Sequence, residues 1–116
     1  MILQTELKED SDYILFSDGK IYSKKTKTFL KGMVDGSGYH CYCLRTNGKS
    51  WMPRTNRLVA EYFVENPNPK EFTVVNHIDH NKLNNDMTNL EWVTPSDNVL
   101  KWYEQSKVKK KRFYLF

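Results

Sequence analysis

The stretch VVNHIDHNKLNNDMTNLEWVTPSDN, residues 74–98, decides how this chain folds. With Phe72 and Thr73 before it, the run is β-branched and apolar until it turns polar at Asn76, which predicts a short buried strand ending at His77. A polar loop, HNKLNNDMTN, leads to a second short apolar run, LEWVT. Thr94 then stands where a helix N-cap belongs, with Pro95 at the first helical position and Asp97 three residues after the cap, so a C-terminal helix is expected to start here. Two short antiparallel strands bring Asn76 and His77 near Asn89. A helix packed across the hairpin turns Asn98 toward the same point.

Working outward, Pro53 opens RTNRLVAEYFVEN, in which Leu58, Val59, Tyr62 and Phe63 fall at helical spacing, and ENPNP closes it with two prolines. The spacing predicts one amphipathic helix from Arg54 to Val64. Between Tyr13 and Met52 the chain runs in short segments punctuated by glycine, which read as strands. Asp18-Gly19 and Asn47-Gly48 accept positive φ and predict two-residue hairpin turns, giving two antiparallel pairs in the first half. The order is therefore β-rich, helix, then strand, loop, strand, helix, an α+β class.

The 116 residues have room for one compact domain, 1–116, and 14% aromatic residues supply much of the core such a short chain needs. Eighteen Lys and Arg against 14 Asp and Glu leave a net charge of +4, which favours a polyanionic partner without requiring one. Lys107, Lys109, Lys110, Lys111 and Arg112 concentrate cations near the C-terminus, either as a solvated tail or as a phosphate-contacting arm. Cys41 and Cys43 alternate in an expected strand, so both should leave one face. A mutual disulfide at that spacing is disfavoured, and without a second pair a structural zinc site is weak, which leaves buried thiols in a reducing compartment. The N-terminal MILQTELKED has neither a charged n-region nor a long apolar run, so no signal peptide and no membrane span are expected.

The segment NHIDHNKLNN…NLEWVT…N resembles the core of the HNH endonuclease family, in the ββα-metal (His-Me finger) form common among phage and intron-encoded homing nucleases. DYILFSDGKIYS, GSGYHCYCL and NRLVAEYFVENPNP resemble, more loosely, the β-rich module that often precedes that core. The likeness covers roughly residues 11 to 101. It implies a β-rich substrate-binding module with its helix over 11–70, a ββα-metal nuclease core over 71–107, and a basic tail over 108–116. By position in the motif, His77 matches the general base, Asn89 the central asparagine, Asn98 the helix-borne metal ligand, and Asn76 the metal-binding residue before the base. Asn76 stands where many relatives have Asp, His80 where they often have Gly, and Asn56 where the preceding module often has His.

The chemistry asks for the same residue types. Hydrolysis of a phosphodiester needs a deprotonated water and positive charge near the phosphate and the leaving oxygen. A histidine serves as base when neutral with one ring nitrogen free, its tautomer fixed by an acceptor on the other N–H. That orienting role is assigned to Asn89. Asn76 and Asn98 each offer an oxygen to one hard divalent ion, Mg²⁺ in the first place and Mn²⁺ in the second, and neutral amides predict weak binding until a DNA phosphate completes the shell.

Asp79 reads as an Asx turn rather than a further ligand, and Asn81, Asn84 and Asn85 as residues that hold the loop together. Trp92, Trp102 and Tyr103 could stack on bases, but core packing suits most of them better. Arg54, Arg57, Lys82, Lys107, Lys109 and Lys110 are the expected DNA phosphate contacts, each taken alone more often just a solvated charge. The expected activity is metal-dependent DNA cleavage, a nick per active site, in the cytoplasm of a bacterial host if the gene is phage-borne. A rival of another class is a DNA-binding or host-factor-binding protein that kept the scaffold and lost catalysis. With no further helical module expected after the core, target recognition should come from the N-terminal half, a homodimer or an accessory protein.

Overall fold

The computed structural model describes residues 1–101 and 103. Strands β1 (Gln4–Glu6), β2 (Tyr13–Phe16), β3 (Ile21–Ser23) and β4 (Thr28–Phe29) form an antiparallel sheet in that order. Two ribbons follow, β5 (Met33–Val34) with β6 (His40–Cys41) and β7 (Leu44–Thr46) with β8 (Lys49–Trp51). Helix α1 (Thr55–Phe63) then leads to the hairpin of β9 (Val74–His77) and β10 (Leu90–Val93), with a 3₁₀ turn at Met87–Asn89 just before β10. The chain is helical again from 95 through 101, here α2. The α+β class and the element order are as expected. Among the described residues no helix is long and apolar enough to cross a membrane.

Alternation builds the core. In β2, Tyr13 and Leu15 turn inward, and in β3, Ile21 does the same. From α1, Leu58, Val59 and Ala60 meet them, and the hairpin adds Val75 and Leu90. Leu15, Ile21, Leu44 and Val59 are wholly buried, and each such side chain contributes about 1.5–3 kcal/mol. One apolar cluster thus draws on both halves of the chain.

Three expectations about the first half need correction. It holds one four-stranded sheet and two ribbons, rather than two pairs. Only Asn47-Gly48 makes the expected two-residue turn, with positive φ at both positions and Thr46 paired to Lys49. At Asp18-Gly19 only the glycine has positive φ, and Phe16 N–H bonds Lys20 O, so the loop holds three residues, Ser17 to Gly19. The cysteines do not share a face: β6 ends at Cys41, which is buried, and Cys43 beyond it is exposed.

The Ser17–Gly19 loop ties the sheet to the hairpin region. Ser17 O accepts from Met87 N–H at 2.8 Å, and Gly19 O accepts from the buried Tyr42 hydroxyl at 2.7 Å. Burial pushes the Tyr42 phenol up to about 12, so it stays a donor. Gly19 has φ +96°, and a Cβ there would lie 3.2 Å from Asn85 Cβ and from Thr55 Cγ2. Gly19→Ala meets both the left-handed backbone penalty and that crowding, and is expected to destabilise by about 2 kcal/mol or more. Urea unfolding checks this; an unchanged midpoint would show that the loop does not lock the two regions.

Candidate active site

The hairpin register sets the site. His77 pairs with Leu90 and Asn76 with Glu91, so the two polar residues at the end of β9 face the start of β10. His80 N–H bonds His77 O and Ile78 N–H bonds Asn89 O, which turns the chain sharply after the histidine. His80 takes φ +63° to complete that turn, a conformation glycine adopts more easily.

The three histidines are distinguished by their partners. His40 has both ring nitrogens engaged: Nε2–H donates to Lys31 O at 3.0 Å, and Nδ1 accepts from the Thr55 hydroxyl at 2.6 Å. His80 is exposed in its turn. His77 is 5% exposed, and its Nε2 lies 2.7 Å from Asn85 Oδ1. An amide oxygen only accepts, so Nε2 carries the proton and the lone pair sits on Nδ1. Nδ1 has no hydrogen-bond partner among the described residues, where Asn56 Oδ1 is the one side-chain polar atom both sealed from solvent and unpaired. The Nδ1 edge is thus the one left for a partner from outside the described residues.

The amide on the histidine ring is Asn85's, whereas Asn89 was expected to supply it. Asn89 holds the connecting loop instead. Its Nδ2 donates to Asp79 Oδ1 and Asn84 O, both at 2.9 Å, and its Oδ1 accepts from Asp79 N–H at 3.1 Å. Asp79 is the hub of this loop, also accepting from Asn81 N–H and Asn84 Nδ2. The Asn84 hydrogen bond, followed by those of Asn81 and Asn89, holds the Asp79 carboxyl below its ordinary value. The two asparagines exchange roles because the 3₁₀ turn, capped by Asp86 on Thr88 N–H, tucks the Asn89 amide under the loop.

Asn76 donates Nδ2 to Glu91 Oε1 at 2.9 Å, so its Oδ1 is the end left for another partner. Glu91 also pairs with Lys101. Burial raises the Glu91 carboxyl, but the Lys101 and Asn76 hydrogen bonds outweigh that and leave it lowered. Sequence reasoning passed over Glu91, because the long connection between β9 and β10 hides the register that sets it opposite Asn76. Asn98 is half-buried in the first turn of α2, whose start Thr94 caps as expected, with Thr94 Oγ1 accepting from Asp97 N–H at 3.0 Å. Its side chain has no hydrogen bond among the described residues.

Among the described residues no three His, Cys, Asp or Glu side chains gather at one point. Asn76 and Asn98 offer amide oxygens, which suit a hard ion but bring it no charge.

Arg54 and Lys82 both lie over Tyr39, whose ring is 6.1 Å from that of His77. Arg57 is committed elsewhere, to Thr73 O at 2.8 Å, to Glu61 and to the Trp92 ring. Trp92 packs against the core and Tyr103 is exposed. Trp102, Lys107, Lys109 and Lys110 lie outside the described residues.

The family model for HNH endonucleases matches residues 55–100, from the first turn of α1 into α2. Those residues belong to the HNH endonuclease family. An uncharacterised HNH endonuclease of Acanthamoeba polyphaga mimivirus is 40% identical over 94 residues, 81% of this chain and 28% of its own length. The DNA endonuclease I-HmuI of Bacillus phage SP01 is 40% identical over 90 residues, 78% of this chain and 51% of its own. A solved structure of DNA binding and cleavage by the HNH homing endonuclease I-HmuI superposes with a TM-score of 0.80 at 33% identity, covering 93% of this chain and 64% of that one. The chain thus spans about half or less of the curated relatives named here. The HNH match includes His77, Asn85, Asn89 and Asn98, and the structural match extends the likeness to the β-rich half.

The Asp79 hub carries a pH signature. A carboxyl lowered in the folded state adds stability above its unfolded value, and that stability is lost as pH falls through the folded value. The stability difference between the wild type and Asp79→Asn is therefore expected to be constant near neutral pH and to shrink on acidification below about pH 4. Denaturation midpoints across that range measure it; a difference independent of pH would remove Asp79 as the charged hub.

Proposed function

We propose that this chain is a metal-dependent DNA endonuclease in which His77 is the general base. The reading rests above all on one observation: His77 alone among the three histidines is buried, held at Nε2 by an acceptor-only oxygen, and open at Nδ1. In this reading His77 Nδ1 takes the proton from a water as its oxygen attacks the phosphorus of a phosphodiester. Asn85 keeps the ring in the tautomer that can do so, and the Asn89–Asp79 loop keeps Asn85 and the end of β9 in register. The hairpin with α2 then corresponds to a ββα-metal core, with Asn76 Oδ1 and the Asn98 side chain as the protein's holders of one divalent ion, Mg²⁺ or Mn²⁺. When bound, such an ion supplies positive charge for the phosphate and the leaving oxygen. Glu91 sets the direction of the Asn76 amide.

Residues 11–70 serve in this reading as the substrate-binding module and 71–107 as the nuclease core. One site cuts one strand. Cutting both takes a second copy or a second event on the opposite strand.

Supercoiled plasmid incubated with Mg²⁺ or Mn²⁺ tests this directly. The wild type is expected to yield open-circular or linear DNA only with metal, and His77→Ala to lose about 10²- to 10⁴-fold in rate. Intact plasmid under every ion, with wild type and variant retarding DNA equally in a gel, would replace cleavage by binding alone. Asn85→Ala, which frees the ring without removing it, is expected to lower the single-turnover rate at saturating DNA by about 10- to 100-fold, with the affinity for DNA unchanged. A wild-type rate in that variant would leave His77 oriented by something else.

A further inference from the structure

The hairpin loop between β5 and β6 builds a feature that the cutting chemistry does not use. Asp35 Oδ1 accepts from Ser37 N–H at 2.9 Å and from Tyr39 N–H at 3.0 Å, which closes the loop and fixes Tyr39 at its end. Asp35 Oδ2 takes Arg54 Nε–H at 2.9 Å. From the other side of the molecule's sequence, Lys82 in the His77 loop reaches across and donates to Ser37 O at 2.9 Å. Its stem passes the open α-carbon of Gly38, where a Cβ would lie 3.6 Å from Lys82 Cδ.

Both cations thereby sit on one ring. Arg54 Cζ is 4.2 Å and Lys82 Nζ 4.7 Å from the Tyr39 centroid, so the two charges can be no further apart than those distances together. Each is attracted to the aromatic ring and each is held by a single oxygen-bearing group. Neither is used up: both Nη groups of Arg54 and the rest of the Lys82 ammonium have no hydrogen-bond partner among the described residues. Asp35 offsets one positive charge, and one remains. Both side chains are exposed yet restrained, and the Tyr39 ring they lie against is 6.1 Å from that of His77.

We propose that Arg54 and Lys82, both held against the Tyr39 ring, form a two-cation seat for a backbone phosphate of DNA next to the one presented to His77. The polyanion is DNA by the reading given under Proposed function, on which this seat rests for its substrate. Neighbouring phosphates of one strand are a single nucleotide apart, so a phosphate held beside the Tyr39 ring brings the next toward the histidine, whose ring is 6.1 Å from that of Tyr39. The seat would set the register of the strand and carry no base preference.

Binding of a DNA duplex in chelator, measured over a range of salt, separates this seat from cleavage. Arg54→Ala and Lys82→Ala are each expected to weaken binding several-fold and to lower the slope of log affinity against log salt by about 1. The double variant should lose less than the product of the single losses, because both act on the same phosphate. Tyr39→Leu should reproduce much of the loss, and Tyr39→Phe, which keeps the ring, should restore it.

Unchanged slopes in folded Arg54→Ala and Lys82→Ala would overturn the seat and leave the two cations as packing for the loop. If Arg54→Ala fails to fold, Lys82→Gln on the exposed loop decides. A wild type that binds DNA through these residues yet never cuts it would overturn the nuclease reading and keep the seat. A wild type that cuts with an unaltered salt slope in the variants would do the reverse.

Discussion

One hydrogen bond, from His77 Nε2–H to Asn85 Oδ1, fixes what the site can do, because it decides which nitrogen of a buried imidazole holds the proton. Everything around it keeps Asn85 in place. The β2–β3 loop packs Gly19 so closely against Asn85 that a Cβ would crowd it, and Ser17 O anchors the residue that starts the 3₁₀ turn. Tyr42, kept protonated by burial, secures the far side of that loop. The N-terminal sheet is thus part of the support of the histidine, and the shared apolar cluster of Leu15, Ile21, Val59, Val75 and Leu90 makes the two regions one body.

The charges around the histidine are arranged by tethering rather than by direct contact. Asp79 is fully engaged by backbone and amide donors of its own loop. Glu91 is turned to Asn76 and Lys101. Asn76 therefore meets an acceptor at its nitrogen end and leaves its oxygen end open, the polarity that an oxygen-seeking cation would need. In the β5–β6 loop Asp35 and Ser37 restrain two cations against Tyr39. Asp79, Glu91 and Asp35 are thus each tied to donors of the protein, while Arg54 and Lys82 keep donors to spare for a phosphate.

Much of this was legible in the sequence, for reasons that differ by element. The β9–β10 hairpin, α1 and the start of α2 followed from local signals, namely a β-branched run, helical spacing between prolines, and Thr94 before Pro95. Local signals failed where the outcome depended on distant partners. Cys41 and Cys43 were expected on one face because alternation assumes a continuing strand, yet β6 ends at Cys41, which itself bridges Arg54. Asp18-Gly19 could not be told from a two-residue turn, since the register of β2 on β3 sets the loop length.

The asparagine roles were hidden for a related reason: a loop with Asn81, Asn84, Asn85 and Asn89 offers chemically equal amides, and only three-dimensional closure decides which one meets the histidine. The same closure brings Tyr39, a residue no local pattern singled out, beside His77. The family likeness, by contrast, was carried by spacing along the strand, loop and helix, and the match over residues 55–100 together with the I-HmuI superposition supports it.

The tautomer of His77 is the most direct test of this account. Nitrogen NMR of imidazole-labelled protein at neutral pH distinguishes a protonated from an unprotonated ring nitrogen and detects the acceptor of the N–H. The account predicts a neutral His77 with its proton on Nε2, shared with Asn85, and a bare Nδ1. A proton resident on Nδ1, with Nε2 unprotonated, would contradict it and remove His77 as the base in the geometry described.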